Sequence, residues 1–213
     1  MTPPFILASS SPRRQELLRS LGIEFTIVRP DIDETQHRDE RPLDYVRRLS
    51  REKAAQAAAR LSSSAAVLAA DTIVILAADT LGIDGAGEIL GKPADTEEAR
   101  QMLKRLRGRS HHVYTALTLL VLDNGEARRQ LTEVTRTDVT MRDYSDAEIE
   151  AYIATGDPFD KAGSYAIQHE AFHPVDRVEG SYTNVVGLPV ETLQAMLAAV
   201  GWPDMHISKQ VYP

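Results

Sequence analysis

The chain of 213 residues contains no cysteine. Disulfide bonds, a thiolate nucleophile and cysteine-ligated zinc are therefore excluded, and a reducing intracellular compartment is expected. The apolar runs stop well short of the roughly 18 residues that a membrane helix needs, and the charged segment that opens a secretory signal is missing. These absences predict a cytoplasmic protein that makes no use of a membrane.

Basic residues are in the minority, because there are 24 of them against 31 acidic residues and the formal net charge is −7. Only five of the basic residues are lysines, so each lysine stands out. Nucleic-acid binding rests on a broadly basic face, so nucleic acid is not expected as a partner. The sequence also has neither a P-loop nor a dinucleotide-binding glycine fingerprint. An anionic ligand would have to be held by a local cluster of basic side chains.

Hydrophobic residues make up 43% of the chain and charged residues 26%, which is typical of a globular protein with a substantial core. We see no internal repeat and no low-complexity linker, so a single domain over residues 1–213 is expected. Helical and strand patterns alternate early in the chain, and Asn124-Gly125 predicts a long hairpin later. This order predicts an α/β fold with a mixed sheet and helices on its faces.

Capping residues and apolar periodicity locate the individual elements. The predicted helices cover residues 12–21, 42–61, 96–107, 146–155 and 190–200. The predicted strands cover residues 5–8, 25–29 and a run from residue 65, followed by the two arms of the hairpin and the short segments 175–180 and 182–186.

The turn "LASSSPRRQELL" concentrates hydroxyl groups and positive charge between the first strand and the first helix. A helix N-terminus offers unpaired N–H groups, serine adds donors, and arginine matches phosphate oxygens with a planar fork. The whole turn from Ser9 to Arg14 is therefore a candidate phosphate site. The alternative is a plain helix cap with two solvated arginines, although arginine in the first turn opposes the helix dipole.

Asp71 and Thr72 interrupt an apolar strand. A carboxylate there must be paired, bound to a metal, or exposed at the strand end where α/β sheets bind ligands. A simple turn cap is the alternative.

Lys53 lies on the apolar stripe of its helix, where it either meets an anion or extends its ammonium to water. Lys92 ends a glycine-rich loop and is either a phosphate contact or a flexible surface lysine.

Two further segments carry chemistry-bearing residues. "DKAGSYAIQ" combines Lys161 with Gln168, whose amide suits either a pyrimidine edge or a strand edge. His169 and His173 have the spacing of metal ligands on a helix, but no third ligand is in sight, so zinc is not expected. His111 and His112 are expected to face outward at the start of a strand.

Six blocks of the chain, in the same order, resemble the Maf family of nucleoside triphosphate pyrophosphatases. They are "LASSSPRRQELL", "REKA", "AADT", "GKP", "DKAGSYAIQ" and "EGSYTNVVGLP". The resemblance implies a Maf-like core over about residues 5–200 with a tail at 201–213. It implies an elongated mixed sheet in two lobes around a cleft, as in inosine triphosphate pyrophosphatases. A homodimer is also implied.

The activity implied by this resemblance is hydrolysis of a nucleoside triphosphate to the monophosphate and pyrophosphate with magnesium or manganese. "DKAG…IQ" is similar to the branch that acts on dTTP and UTP. By position, the phosphate turn corresponds to Ser9, Arg13 and Arg14, the acidic position after the second strand to Glu34, and the catalytic cluster to Lys53, Asp71 and Lys92. Our hypothesis for the metal ligands is Glu34 and Asp71. The base-side residues correspond to Thr72 and Gln168, joined by Lys161.

Two departures from the family pattern bear on substrate preference, namely His169 after Gln168 and a lengthened loop "LGIDGAG" before Lys92. One alternative function is a non-catalytic nucleotide sensor that regulates cell division. Another is hydrolysis of modified pyrimidine nucleotides such as 5-methyl-UTP, which differs only in substrate.

Overall fold

The computed structural model describes residues 3–76 and 87–202. Its strands are β1 (Phe5–Ala8), β2 (Thr26–Ile27), β3 (Ala65–Leu76), β4 (Glu88–Leu90), β5 (Ser110–Asp123), β6 (Glu126–Met141) and β7 (Val175–Glu179). Its α-helices are α1 (Pro12–Ser20), α2 (Pro42–Ala58), α3 (Thr96–Leu106), α4 (Asp146–Ala154), α5 (Tyr182–Val186) and α6 (Val190–Ala199). Most of the loop "LGIDGAG" and most of the tail lie outside the described residues.

The strands form one mixed sheet in the order β2-β1-β3-β5-β6-β7, with β4 paired to the far end of β3. β1 pairs in parallel with β2 and β3, and the other pairings are antiparallel. The predicted α/β fold with a mixed sheet flanked by helices is confirmed.

The sheet divides along β3. β1 accompanies β3 as far as Ala69, and β4 joins the same edge only at Val74. Within the described part of the chain, residues 70–73 have no strand partner on this edge, whereas β5 pairs with them on the other. A cleft opens at this gap between the two parts of the sheet, and Asp71 and Thr72 lie in it.

Side chains alternate between the two faces of a strand, so neighbouring residues of β3 face different helices. Val67 and Ala69 pack with Ala54 and Ala57 of α2, and Asp71 follows on that face. Leu68 lies on the opposite face, in the core with α1 and α6. Asp71 therefore points toward α2, while Thr72 points toward α1 and α5.

Local sequence signals account for most elements. Ser145 and Glu148 form a complete capping box at α4, and Asp95 caps α3 through the N–H of Glu98. Asn124 and Gly125 both have positive φ, as the predicted hairpin turn requires. Among the described residues, no helix has the length and apolar character to cross a bilayer.

Three sequence predictions are wrong. Residues 88–90, predicted as part of the glycine-rich loop that ends at Lys92, form strand β4. Residues 182–186 form helix α5 and not a strand, because Ser181 caps the segment through the N–H of Asn184 and Gly187 ends it with positive φ. His111 does not face outward: it is fully buried, and its Nε2 lies 2.7 Å from the hydroxyl of Tyr165. Burial lowers the pKa of His111 to about 3. His112, its neighbour, is half-buried beside Asp138.

Candidate active site

A cavity of about 530 Å³ opens at the gap in the sheet. Its walls come from the β1–α1 turn, β3, the segment after β4, the region around residue 160 and the end of α5. The cationic groups of the wall are Arg13, Arg14, Lys53, Lys92 and Lys161, and the acidic groups are Glu34, Asp71 and Asp160. The cavity is therefore locally positive in a chain of net charge −7, which suits a polyanionic ligand.

The β1–α1 turn presents its serines to this cavity. Ser11 caps α1, and the hydroxyl of Ser9 accepts hydrogen bonds from the N–H of Ser11 at 3.2 Å and from Arg14 Nη1 at 3.1 Å. The first turn of α1 carries no acidic residue that could neutralise the positive end of the helix dipole. This arrangement favours a bound anion, as the sequence predicts.

The guanidinium of Arg14 is held on three sides. Nε donates to the carbonyl of Gly187 at 2.8 Å, Nη1 to Ser9, and Nη2 to the hydroxyl of Thr72 at 3.0 Å. Because a guanidinium has five N–H donors, these contacts leave two for a ligand, one on each terminal nitrogen. Burial lowers the pKa of Arg14, and the charge of Asp71 opposes that shift.

Lys53 connects the two predicted metal ligands. Its Nζ lies 2.5 Å from Asp71 Oδ1 and 2.9 Å from Glu34 Oε1, and only 9% of its side chain is exposed. Of the two alternatives for Lys53, the buried ion pair is thus the one observed. Burial raises the pKa of Asp71, and the ammonium of Lys53 acts in the opposite direction.

Glu34 lies in an irregular loop that α2 holds in place. The hydroxyl of Tyr45 donates to the carbonyl of Glu34 at 2.7 Å. Arg48 donates to the carbonyl of Thr35 at 3.0 Å and pairs with Glu40 at 2.8 Å. The hydrogen bonds from Arg48 lower the pKa of Glu40 to about 2.

Sequence reasoning missed Tyr45 and Arg48. Tyr45 precedes Lys53 by eight residues, which places both on one side of α2, and this spacing is the signal that could have found it.

Lys161 lies in the cavity wall, but its ammonium is occupied. Nζ donates to the carbonyl of Asp157 at 2.6 Å, to its carboxylate at 2.8 Å and to Asp160 at 2.5 Å. An ammonium has three donors, so a direct contact with a substrate would require one of these bonds to break. Asp160 also lies 3.9 Å from Arg13, whose Nε is buried without a partner among the described residues.

Lys92 is exposed on the cavity wall, and the carbonyl of Gly91 beside it accepts a hydrogen bond from the N–H of Gly163. Gln168 lies outside this cavity. It lines a neighbouring hollow of about 490 Å³, which shares Arg13, Asp160 and Lys161 with the cavity as a common rim.

His169 belongs to the same hollow. Its Nδ1 accepts a hydrogen bond from the N–H of Phe172 at 3.0 Å, and its ring packs edge-on against Tyr152. Within residues 3–76 and 87–202, no three His, Asp or Glu side chains gather as a metal cluster.

Comparison with known proteins identifies similar sequences over nearly the whole chain. The family model "Maf-like protein" matches residues 4–200. A dTTP/UTP pyrophosphatase of Syntrophus aciditrophicus is 44% identical over 210 residues, which cover 97% of this chain and 96% of that protein. A dTTP/UTP pyrophosphatase of Myxococcus xanthus is 49% identical over 198 residues, which cover 93% of each.

Among solved structures, the Ham1 protein of Staphylococcus aureus aligns with a TM-score of 0.49 and 11% identity, covering 92% of this chain and 99% of that one. The family model alone spans nearly all of the chain, and the relatives match it at high identity over the same extent. The chain belongs to the Maf family.

Proposed function

We propose that the protein hydrolyses dTTP and UTP, and related modified pyrimidine triphosphates, to the monophosphate and pyrophosphate. Family membership and the names of its relatives support this activity. The observation that carries the proposal is the buried carboxylate of Asp71 at the gap in the sheet, in a cavity with five cationic side chains.

Neutralising the substrate is the main task of such a site. A nucleoside triphosphate carries about four negative charges, and an attacking water must approach through them, so catalysis of phosphoryl transfer is mostly positioning and electrostatics. Arg13, Arg14, Lys53 and Lys92 line the cavity and would take this role. The Ser9 turn and the N-terminus of α1 would add neutral donors.

Asp71 is the residue that would orient and deprotonate the attacking water. Its Oδ1 is engaged by Lys53, so we assign the proton transfer to Oδ2. In this role Asp71 would act as the general base of the reaction. Because pyrophosphate is the leaving group, the α-phosphorus must be the atom that faces Asp71.

The donor set of the cavity fits a hard divalent cation. Glu34 and Asp71 are two carboxylates held within reach of one ammonium, and Mg²⁺ is usually bound by one or two carboxylates together with substrate phosphates. Magnesium or manganese on these two residues would supply further charge neutralisation. In this arrangement Lys53 would hold the two carboxylates together.

Recognition of the base is assigned to Gln168. Its amide can both donate to and accept from a pyrimidine edge. Since Gln168 lies in the neighbouring hollow, the nucleoside end of the substrate would have to cross the rim formed by Arg13, Asp160 and Lys161.

A homodimer is proposed on the family resemblance alone, and size-exclusion chromatography tests it.

One assay tests the activity. The pure protein is incubated with a panel of canonical and modified triphosphates and Mg²⁺ or Mn²⁺, and the products are separated by chromatography. We expect monophosphate and pyrophosphate, with dTTP and UTP turned over fastest. Diphosphate with orthophosphate would contradict the proposal. Binding without turnover would favour the non-catalytic regulator of cell division.

A further inference from the structure

We infer that Thr115 on β5 is a positioning residue for Arg14, acting through Thr72. Thr115 is fully buried and does not line the cavity. It can therefore influence a ligand only through the groups that it touches. The inference deepens the proposed function, because Arg14 is one of the side chains assigned to the phosphates.

Three hydrogen bonds connect Arg14 to the core of the sheet. Arg14 Nη2 donates to Thr72 Oγ1 at 3.0 Å, Thr72 Oγ1 lies 2.9 Å from Thr115 Oγ1, and Thr115 donates to the carbonyl of Asn184 at 3.3 Å. Thr72 and Thr115 are direct partners in the register of β3 and β5. Their hydroxyls therefore meet because of the strand pairing and not through long, mobile side chains.

The groups at the two ends of this series of hydrogen bonds fix the direction in which each of its hydroxyls donates. A guanidinium can only donate, and a carbonyl can only accept. Thr115 must give its proton to Asn184, so it can only accept from Thr72. Thr72 then gives its proton to Thr115 and turns a lone pair toward Arg14. The hydroxyl proton of Thr72 is thereby unavailable to a substrate, so in its predicted base-side role Thr72 could only accept a hydrogen bond.

Helix α5 holds the end of this hydrogen-bonded series that lies away from Arg14. The amide of Asn184 donates to the carbonyl of Val113 at 3.1 Å and to the hydroxyl of Thr137 at 2.9 Å, which attaches α5 to β5 and β6. Gly187 at the end of α5 accepts directly from Arg14 Nε. One short helix thus holds the guanidinium by two routes, one direct and one through Thr115 and Thr72.

The test compares Thr115→Val with wild type. The probe is a dTTP analogue with a methylene bridge between the α- and β-phosphorus, whose binding requires no turnover. Valine keeps the shape of threonine but cannot accept from Thr72, so the lone pair of Thr72 is no longer directed at Arg14. We expect the Kd of the analogue and the KM for dTTP to rise about five- to tenfold, as when one hydrogen bond to a charged group is weakened.

Three further variants separate this role from a general loss of packing. Thr115→Ser keeps the hydroxyl and should restore wild-type binding. Thr118→Val is the matched control, because Thr118 is equally buried on β5 and bridges two hydroxyls, those of Ser50 and Thr132, without a link to Arg14. In a Thr72→Val background, Thr115→Val should have no further effect, since both act along one path.

The outcomes distinguish the inference from the function on which it rests. If wild type neither binds the analogue nor hydrolyses dTTP, the proposed function fails. If wild type does both and Thr115→Val binds as wild type does, or Thr118→Val is equally impaired, the inference fails. Should Thr115→Val not fold, Thr115→Cys replaces it, because a thiol is a poor hydrogen-bonding group of similar size.

Discussion

At the scale of single residues, Asp71 and Lys53 are both placed where burial disfavours charge. Asp71 follows alanine and valine on the α2 face of β3, and Lys53 lies on the apolar stripe of α2. Breaking a buried pair by removing one partner leaves an uncompensated charge, so the pair is costly to alter. Glu34 gives Lys53 a second partner, so the ammonium of Lys53 keeps an ion pair when Asp71 is replaced.

Replacing Asp71 with asparagine should therefore keep the fold and nucleotide binding but reduce kcat by at least about 100-fold, because general-base catalysis contributes that much or more. Product formation from dTTP and binding of the methylene analogue are the two measurements. Asp176→Asn, an exposed position on β7, is the control and should retain full activity. Turnover near the wild-type rate in Asp71→Asn would remove Asp71 from the mechanism.

Several site residues could be identified from the sequence because their type conflicts with their surroundings. A lysine on an apolar stripe and an aspartate in an apolar strand are visible without a structure. The residue types of Tyr45 and Thr115 do not conflict with their surroundings, since tyrosine and threonine are ordinary in a helix and a strand. Only the eight-residue spacing of Tyr45 from Lys53 indicates that these two share a side of α2. The roles of Tyr45 and Thr115 depend on which atoms meet across α2 and across the β3–β5 register, and a sequence does not specify that register.

At the scale of elements, capping residues predict the secondary structure better than the strand or helix preferences of the residues do. Helices with caps, such as α3 and α4, were predicted because their first turns are satisfied by nearby side chains. The strand preference of threonine and valine predicts a strand at residues 182–186. The cap at Ser181 and the glycine at 187 outweigh that preference.

The position of Glu34 depends on the irregular loop before α2. Tyr45 of α2 contacts this loop at Glu34 itself. Burial raises the pKa of Tyr45, so its hydroxyl stays protonated and able to donate. Tyr45→Phe keeps the ring but loses the hydrogen bond to the carbonyl of Glu34. We expect the Mg²⁺ concentration for half-maximal activity to rise about fivefold, as a loss of about 1 kcal/mol implies.

A magnesium titration of dTTP hydrolysis measures this effect. Gln56→Met serves as the control, because Gln56 contacts the same loop at Asp31 and does not touch Glu34. Its titration curve should shift less than that of Tyr45→Phe. An unchanged curve for Tyr45→Phe would show that the loop holds Glu34 in place without the tyrosine.

At the scale of the whole molecule, the site exists because the sheet is divided. β1 and β4 share one edge of β3 without meeting, and the segments that follow each of them supply cations to the gap. The sequence predicts the residues that line the gap on either side. The gap itself depends on where the pairing of β1 with β3 ends and where the pairing of β4 with β3 begins. Those two points are set by long-range pairing, which periodicity along the chain does not reveal.

The stability of the molecule should depend on His111, which the sheet buries beside Tyr165. Its pKa is about 3 in the folded state and about 6.5 in an unfolded chain. Between these values the unfolded state binds a proton that the folded state does not, so stability falls as the pH decreases below about 6.5. From about pH 7 to about pH 5 this loss amounts to about 2 kcal/mol.

His111→Gln removes this proton uptake while keeping a polar atom near the hydroxyl of Tyr165. The variant is less stable than wild type at neutral pH to the extent that packing is disturbed, but the difference between the two proteins should shrink by about 2 kcal/mol on going to about pH 5. Urea unfolding at both pH values measures it. His37→Gln, a substitution of an exposed histidine outside the sheet, provides the control variant. A constant difference between wild type and His111→Gln would mean that His111 takes up its proton in the folded protein as readily as in the unfolded chain, which contradicts the lowered pKa.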